Sequence, residues 1–346
     1  MVSLYAELYS NRIVPIINTS INISGNNISS DINNITNNIA KSTEIFLLGK
    51  SKFKDGKFYA TDKVNYFISR AYPNEQGVLE QTVEIEFYTS INANNIMLFV
   101  VFDTKNQAYP NTVEINGITY KPKSAVLPLL FNSSVGVANK IKFDTWNKQD
   151  VPVTIQGIST SFEIESANLS NVSFTSYDRS DFNVPSWGIK SNSGSLELRD
   201  TYGLINSLAD IIESNDLTIN FYLKCFSKKE QIGSFVITNM SYNKQSGIGN
   251  IEVKDVLHNW EQITLPYMPL KSLLSLYSVA ENLKAPQTIR PANDETEKHL
   301  LNILIKNPYM EEGSAWANWV KICELSGCYI YCDEKGEPTI RYGGGT

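Results

Sequence analysis

The softest reactive side chains of this 346-residue chain are few: four cysteines, Cys225, Cys323, Cys328 and Cys332, and two histidines, His258 and His299. Three of the cysteines form C-x4-C-x3-C, with no CxxC pair and no adjacent histidine, which is not the spacing that wraps a tetrahedral zinc. They read instead as small apolar residues of a reduced interior. Cys323 falls on a helical stripe with Trp316, Trp319 and Val320, and Cys328 and Cys332 fall on one face of the strand that follows. His258, at the end of a strand before Asn259 and Trp260, stands where a general base can sit, but a lone histidine reads more simply as structural. His299, beside Glu297 and Lys298 early in a helix, reads as solvated.

Carboxylates are scattered singly on strand faces, as at Glu84, Glu86 and Glu252. A glycosidase needs two that face one bond, and no spacing along the chain defines such a pair. The chain has no HExxH, no phosphate-binding P-loop and no GxSxG elbow in strand and helix context. The sequence therefore assigns no catalytic residue, no cofactor and no metal ligand. Aromatic residues are abundant, with 18 Tyr and 15 Phe. Tyr109, Trp146 and Trp187 are candidates to stack on a sugar ring, against the commoner use of such rings in a core or an interface.

These residues have to be positioned by a folded body, and the composition provides for one. Hydrophobic residues make up 42% and charged residues 19%, too apolar for disorder and too poorly charged for a coiled coil. Thirty basic against thirty-six acidic residues give a formal charge of -6, which argues against tight binding to a phosphate backbone. Asparagine is common and alanine scarce, a bias away from helix. Asn-X-Ser/Thr triplets such as Asn27-Ile28-Ser29 and Asn168-Leu169-Ser170 are what such a composition produces by chance. Glu7 and Arg12 interrupt what would be the core of a signal peptide, and the longest apolar run, IMLFVVF at 96–102, is strand-sized. The chain is expected to be made in the cytoplasm, to stay soluble and to have no membrane span.

The periodicity predicts a mainly β chain with a C-terminal α+β part. Residues 1–40 read as an arm or weak helix, because Ile28, Ile32, Ile35 and Ile39 recur at helical spacing. Residues 41–160 read as a β-sandwich: TVEIEFYT at 82–89 alternates, IMLFVVF is a fully buried strand, and Asn116-Gly117 sits between two apolar runs as a hairpin turn. Residues 161–265 read as a small β-barrel with one helix at 202–213, carrying Leu204, Leu208, Ile211 and Ile212 on one stripe. LTINFYLKC at 217–225 puts Leu217, Ile219, Phe221, Leu223 and Cys225 inward. Residues 266–342 read as the α+β domain: a helix from Pro269, a second capped by Asp294 and Glu297, a third from Ser314 to Gly327, then a hairpin around Lys335-Gly336. Residues 343–346 read as a glycine linker.

IGSFVITNMSYNKQSGIGNIEVKDVLHNW at 232–260, then PLKSLLSLYSVAENL, then WANWVKICELSGCYIYCDEKGEPTIRY, resembles in its order the baseplate hub and tail-associated proteins of tailed bacteriophages, over residues 165–342. LFVVFDTKNQAYPNTVEINGITY with IKFDTWNKQDVPVTIQGIS is similar to a galactose-binding-like insert found in some phage hub proteins. The resemblance implies a structural virion protein of the tail and no enzyme: a homo-oligomeric ring, a trimer, that closes the distal tail tube, contacts other tail proteins and passes DNA without holding it. Two alternatives stand beside it, a host-recognition protein whose sandwich reads a cell-surface glycan, and a peptidoglycan hydrolase with its lytic domain downstream. If the barrel lines a tube, the outward residues Thr218, Asn220, Tyr222 and Lys224, with Glu252 and Lys254, are the candidates for the tube wall or a subunit interface.

Overall fold

The computed structural model describes residues 2–10, 16–23, 26–29, 45–47, 51–54, 57–60, 67–69, 73–78, 83–89 and 92–343, the last range apart from 105, 144, 152, 176–186, 201–202, 206, 209–216, 227, 271–272 and 284–288. It is mainly β, with three apolar cores. The first lies between two sheets. A six-stranded sheet contributes Phe87, Val113, Ile115, Ile141 and Phe143, and a five-stranded sheet contributes Leu98, Val100, Phe102, Leu127 and Ile155. The turn at Asn116-Gly117 has φ of 50° and 84°, as a two-residue hairpin loop requires, and it pairs Ile115 with Ile118.

The strand Ala93–Phe102 explains its unbroken apolar run by having a core on each face. Leu98, Val100 and Phe102 point into the sandwich, while Met97 and Phe99 point the other way into the second core. A strand covered on both sides has no position at which a polar residue would be solvated.

The second core is wrapped by a seven-stranded antiparallel sheet. Its order is Ser161–Ile164, Val2–Ser10, Leu217–Cys225, Lys228–Asn243, Ile248–Lys254, Ser193–Arg199 and Leu169–Phe174. The first and last strands are consecutive in the chain, joined through the turn Ser166–Asn168, so the sheet curls back toward itself around one interior. Helical residues Leu204, Ile205 and Leu208 fill that interior, and Gly249 leaves the room Ile205 needs: a Cβ there would lie 2.9 Å from its Cγ1. The rest of the expected helix, residues 202, 206 and 209–213, lies outside the described residues.

The N-terminal expectation is corrected. Val2–Ser10 is neither arm nor helix but a central strand, paired along its whole length with Leu217–Cys225. Ile16–Ile23 and Asn26–Ser29 are strands of the sandwich, so the sandwich is an insertion between two neighbouring strands of the curled sheet. The helical recurrence of isoleucine misled because Ile28 is in a strand; Ile32, Ile35 and Ile39 lie outside the described residues. Alternation in VSLYAELYS, with Leu4, Ala6 and Leu8 against Tyr5, Glu7 and Tyr9, carried the true signal.

The third core belongs to the C-terminal unit. Its helices are Leu276–Leu283, Asp294–Asn302 and Ala315–Ser326, set against a four-stranded sheet that contains the hairpin Cys328–Cys332 and Pro338–Tyr342. Ser314 caps the last helix by accepting the Ala317 N–H, and Gly327 ends it at φ 64°. Two expectations are corrected. Residues 268–269 and 273–275 are short strands paired with 309–310 and 304–306, and the helix begins only at Leu276, because tertiary pairing overrides local propensity. The second helix is capped by Asn293, whose side chain accepts from the Thr296 N–H, one residue before the cap expected at Asp294. The third core takes in Cys323, Cys328 and Cys332 as packed side chains.

Candidate functional site

The sheet register gathers polar residues from distant parts of the sequence onto the outer face of the curled sheet. Glu163, Glu7, Asn220 and Ser234 stand in one row across four strands. Ser161, Tyr9 and Thr218 form the next row, and Tyr5 and Tyr222 face each other on the other side. Sequence alternation identifies the Leu217–Cys225 members of this face; the Val2–Ser10 members were missed with their strand.

The geometry is that of a closed hydrogen-bonded cluster. The Tyr9 hydroxyl donates to Asn220 Oδ1 at 3.0 Å, and Asn220 Nδ2 donates to the Tyr222 hydroxyl at 3.1 Å. Ser161 Oγ donates to Glu7 Oε1 at 2.6 Å. Burial pushes the Tyr9 phenol above its ordinary range, as it does that of Tyr222, so both are neutral donors near neutral pH.

Glu7 and Glu163 are directly opposite on adjacent strands, the arrangement that acid–base chemistry at a sugar bond would need. Lys229 lies between them, 3.9 Å from Glu7 Oε2 and 3.1 Å from Glu163 Oε2, with its ammonium also 4.1 Å from the Tyr222 ring centroid. One cation shared by two carboxylates cross-links three strands. The chemistry of the cluster is therefore adhesion between strands.

The tube-wall candidates have unlike surroundings. Asn220 is only 5% exposed. Its cross-strand neighbour Ser234 receives the turn of the C-terminal hairpin, where a Cβ on Gly336 would come within 2.8 Å of the Ser234 Cβ. Thr218 and Tyr222 are half-buried, Lys224 is exposed with its ammonium 5.3 Å from the Tyr5 ring centroid, Glu252 is exposed and Lys254 half-buried. The chain thus covers part of this face with its own third unit and leaves the Lys224 and Glu252 portions open.

The aromatic candidates are not brought together. Trp146 is 3% exposed and packs edge-on against Phe102 at 5.8 Å, inside the sandwich core, with Tyr109 packed beside that core. Trp187 is in another unit, exposed, over Gly327 and Gly343. His258 lies half-buried in the short helix Val256–Glu261. His299, expected to be solvated, is half-buried: its Nε2 is 2.7 Å from the Ser326 carbonyl oxygen, and its ring stacks on Tyr342 at 3.7 Å. Among the described residues no group of His, Cys, Asp or Glu is placed to hold a metal ion, and no helix is long and apolar enough to cross a membrane.

No protein family and no curated protein matches the chain. Among solved structures, the tail protein from Neisseria meningitidis MC58 is similar at 12% identity and a TM-score of 0.29, over 49% of this chain and 49% of that one. The chain spans about half the length of that protein.

Proposed function

We propose that this chain is a structural component of a bacteriophage tail, a hub subunit that assembles into a ring at the distal end of the tail tube and serves as an attachment platform. One observation carries the reading. The sandwich is spliced between two adjacent strands of a curled sheet whose outer face is bound up by side-chain bonds rather than opened into a cleft. That nesting supports the order of segments read from the sequence, a hub body carrying an inserted sandwich. Both chain ends of the sandwich leave from paired strands of that sheet. A ring of three copies would share the acidic balance of the chain, and a negative wall passes DNA without retaining it.

Mass spectrometry of purified particles tests the reading, and the chain is expected there at a few copies per particle. Cryo-electron microscopy of the same particles should show it as a ring at the tail tip. Presence in infected-cell lysate and absence from particles would refute it.

A further inference from the structure

The helical stretch that follows Gly203 is wedged between the sandwich and the curled sheet, at contact distance on both sides. On the sandwich side, Gly203 has φ of 70°, and a Cβ there would lie 2.5 Å from the Cβ of Ser124, at the entry of the strand Val126–Ser133. One turn further on, Ser207 Oγ lies 2.9 Å from Ser124 Oγ, and Ser124 Oγ donates to the Val126 carbonyl at 2.9 Å. Both serines are buried. On the sheet side, Ile205 stands over Gly249 of Ile248–Lys254, and the Asp200 N–H donates to the Gly247 carbonyl at 2.9 Å. A glycine permits the close approach on each side, and close-packed contacts of this kind pass a displacement on rather than absorb it.

The sandwich and the curled sheet also share walls. Ala93–Phe102 sends Leu98 and Val100 into the first core and Met97 and Phe99 into the second, and Val126–Ser133 does the same, with Leu127 and Leu129 in the first and Val126 in the second. The Phe99 ring meets the ring of Phe162, in Ser161–Ile164 of the curled sheet, at 5.6 Å. The third core is built differently: among the described residues, the elements that supply it contribute to neither of the other two.

We propose that Gly203, Ile205 and Ser207 form a tie that makes the inserted sandwich and the curled sheet open and shift as one unit. A partner that binds the sandwich then acts on the curled sheet through Ser124 and Ser207, and the sheet acts back on the sandwich with the same coupling free energy. The inference concerns a single chain, so its failure would leave the ring reading untouched.

Native-state hydrogen exchange on the full chain, read by mass spectrometry, tests it. Three regions are compared: the sandwich strands Val113–Ile115 and Ala138–Phe143, the curled-sheet strand Leu217–Cys225, and the third-unit hairpin of Cys328–Cys332 and Pro338–Tyr342 as a control. Val113→Ala, in the sandwich sheet farther from the helix, should raise exchange ~tenfold in the sandwich and by the same factor in Leu217–Cys225, with a smaller rise in the control hairpin. Ser207→Ala and Ser124→Ala, which remove the contact from either side and leave the glycines in place, should each raise exchange ~threefold or more in both regions. The double variant should show no more than the larger single effect, since both remove one contact. A rise confined to the sandwich in Val113→Ala would overturn the shared unit, and an equal rise in the control hairpin would overturn its boundary. Unchanged sandwich exchange in Ser207→Ala would overturn the helix as the tie, and serine effects that multiply would overturn the contact between them.

Discussion

Asp255 and Asn192 are bonded in both directions. The Asn192 N–H donates to Asp255 Oδ2 at 2.5 Å, and the Asp255 N–H donates to the Asn192 carbonyl at 2.9 Å. The Ser191 hydroxyl adds a third bond, to Asp255 Oδ1 at 2.7 Å. The position is a crossing point. Residues 190–192 enter the curled sheet from Gly188–Ile189 of the C-terminal sheet, and Asp255 leaves it for the short helix whose Leu257 and Trp260 belong to the third core. One carboxylate thus clasps both strands of the junction.

Burial raises the Asp255 carboxyl from 3.8 to about 6, against the hydrogen bonds that lower it, of which the Asn192 N–H is the largest. The folded state therefore prefers the protonated acid. Its contribution to stability is complete below the unfolded value and is lost as pH rises through about 6, a change of at most roughly 3 kcal/mol. Thermal melts from acid to neutral pH should show this loss in the wild type and a flatter profile in Asp255→Asn. Asp255→Ala should cost ~1–3 kcal/mol at acid pH, where the buried Asn192 N–H loses its acceptor, and less at neutral pH, where the wild type has lost the contribution of the protonated acid. A wild-type profile that rises with pH through this window, with the same rise in Asp255→Asn, would be inconsistent with a buried clasp.

Gly336→Ala tests how the C-terminal hairpin rests on the sheet. The residue has φ of 77°, and an added Cβ would meet Ser234 Cβ at 2.8 Å. Backbone strain and overlap together should destabilise the chain by ~1–3 kcal/mol. Gly117→Ala, at φ 84° with open space around it, has the strain without the overlap and should cost less. Chemical denaturation of the two variants separates docking from turn geometry; equal costs would mean that the contact with Ser234 is not tight.

Segments whose local pattern and final environment agree were legible in the sequence. The helix Ala315–Ser326, with Ser314 and Gly327 at its ends, and the turn at Asn116-Gly117 are read from cap and turn chemistry. The face of Leu217–Cys225 was legible only in part. Leu217, Ile219 and Phe221 are inward as expected, but Leu223 and Cys225 are exposed because the strand outruns the core beneath it, and alternation does not say where a core ends. Val2–Ser10 was not recognised, since its partners lie more than 150 residues away. The Glu7, Glu163 and Lys229 cluster depends on that same register, so it could not be assembled from spacing along the chain.

Trp146→Ala should report on the sandwich core. The ring touches Phe102 and Phe143 at 5.8 and 6.0 Å between centroids, and the residue is 3% exposed. Truncation is expected to cost ~3–5 kcal/mol in equilibrium unfolding. Exposed Trp187, replaced by alanine, should cost much less. A small effect at Trp146 would contradict its placement and return the side chain to the set of surface rings free to meet a ligand.

Thiol reactivity reads the two fates of cysteine in this fold. Cys323, Cys328 and Cys332 are buried in the third core, and burial pushes all three thiols up, so almost none of their thiolate exists near neutral pH. Cys225 is exposed next to the Phe226 loop. A disulfide reagent added to the native chain is expected to modify one thiol quickly, mapped by mass spectrometry to Cys225, and the other three only after denaturation. Asp255→Ala provides the internal comparison, since Cys332 lies close enough to feel the Asp255 charge. Loosening the junction should raise the reactivity of Cys332 before that of Cys323. Rapid modification of several thiols in the native wild-type chain would show instead that the third core is open to solvent.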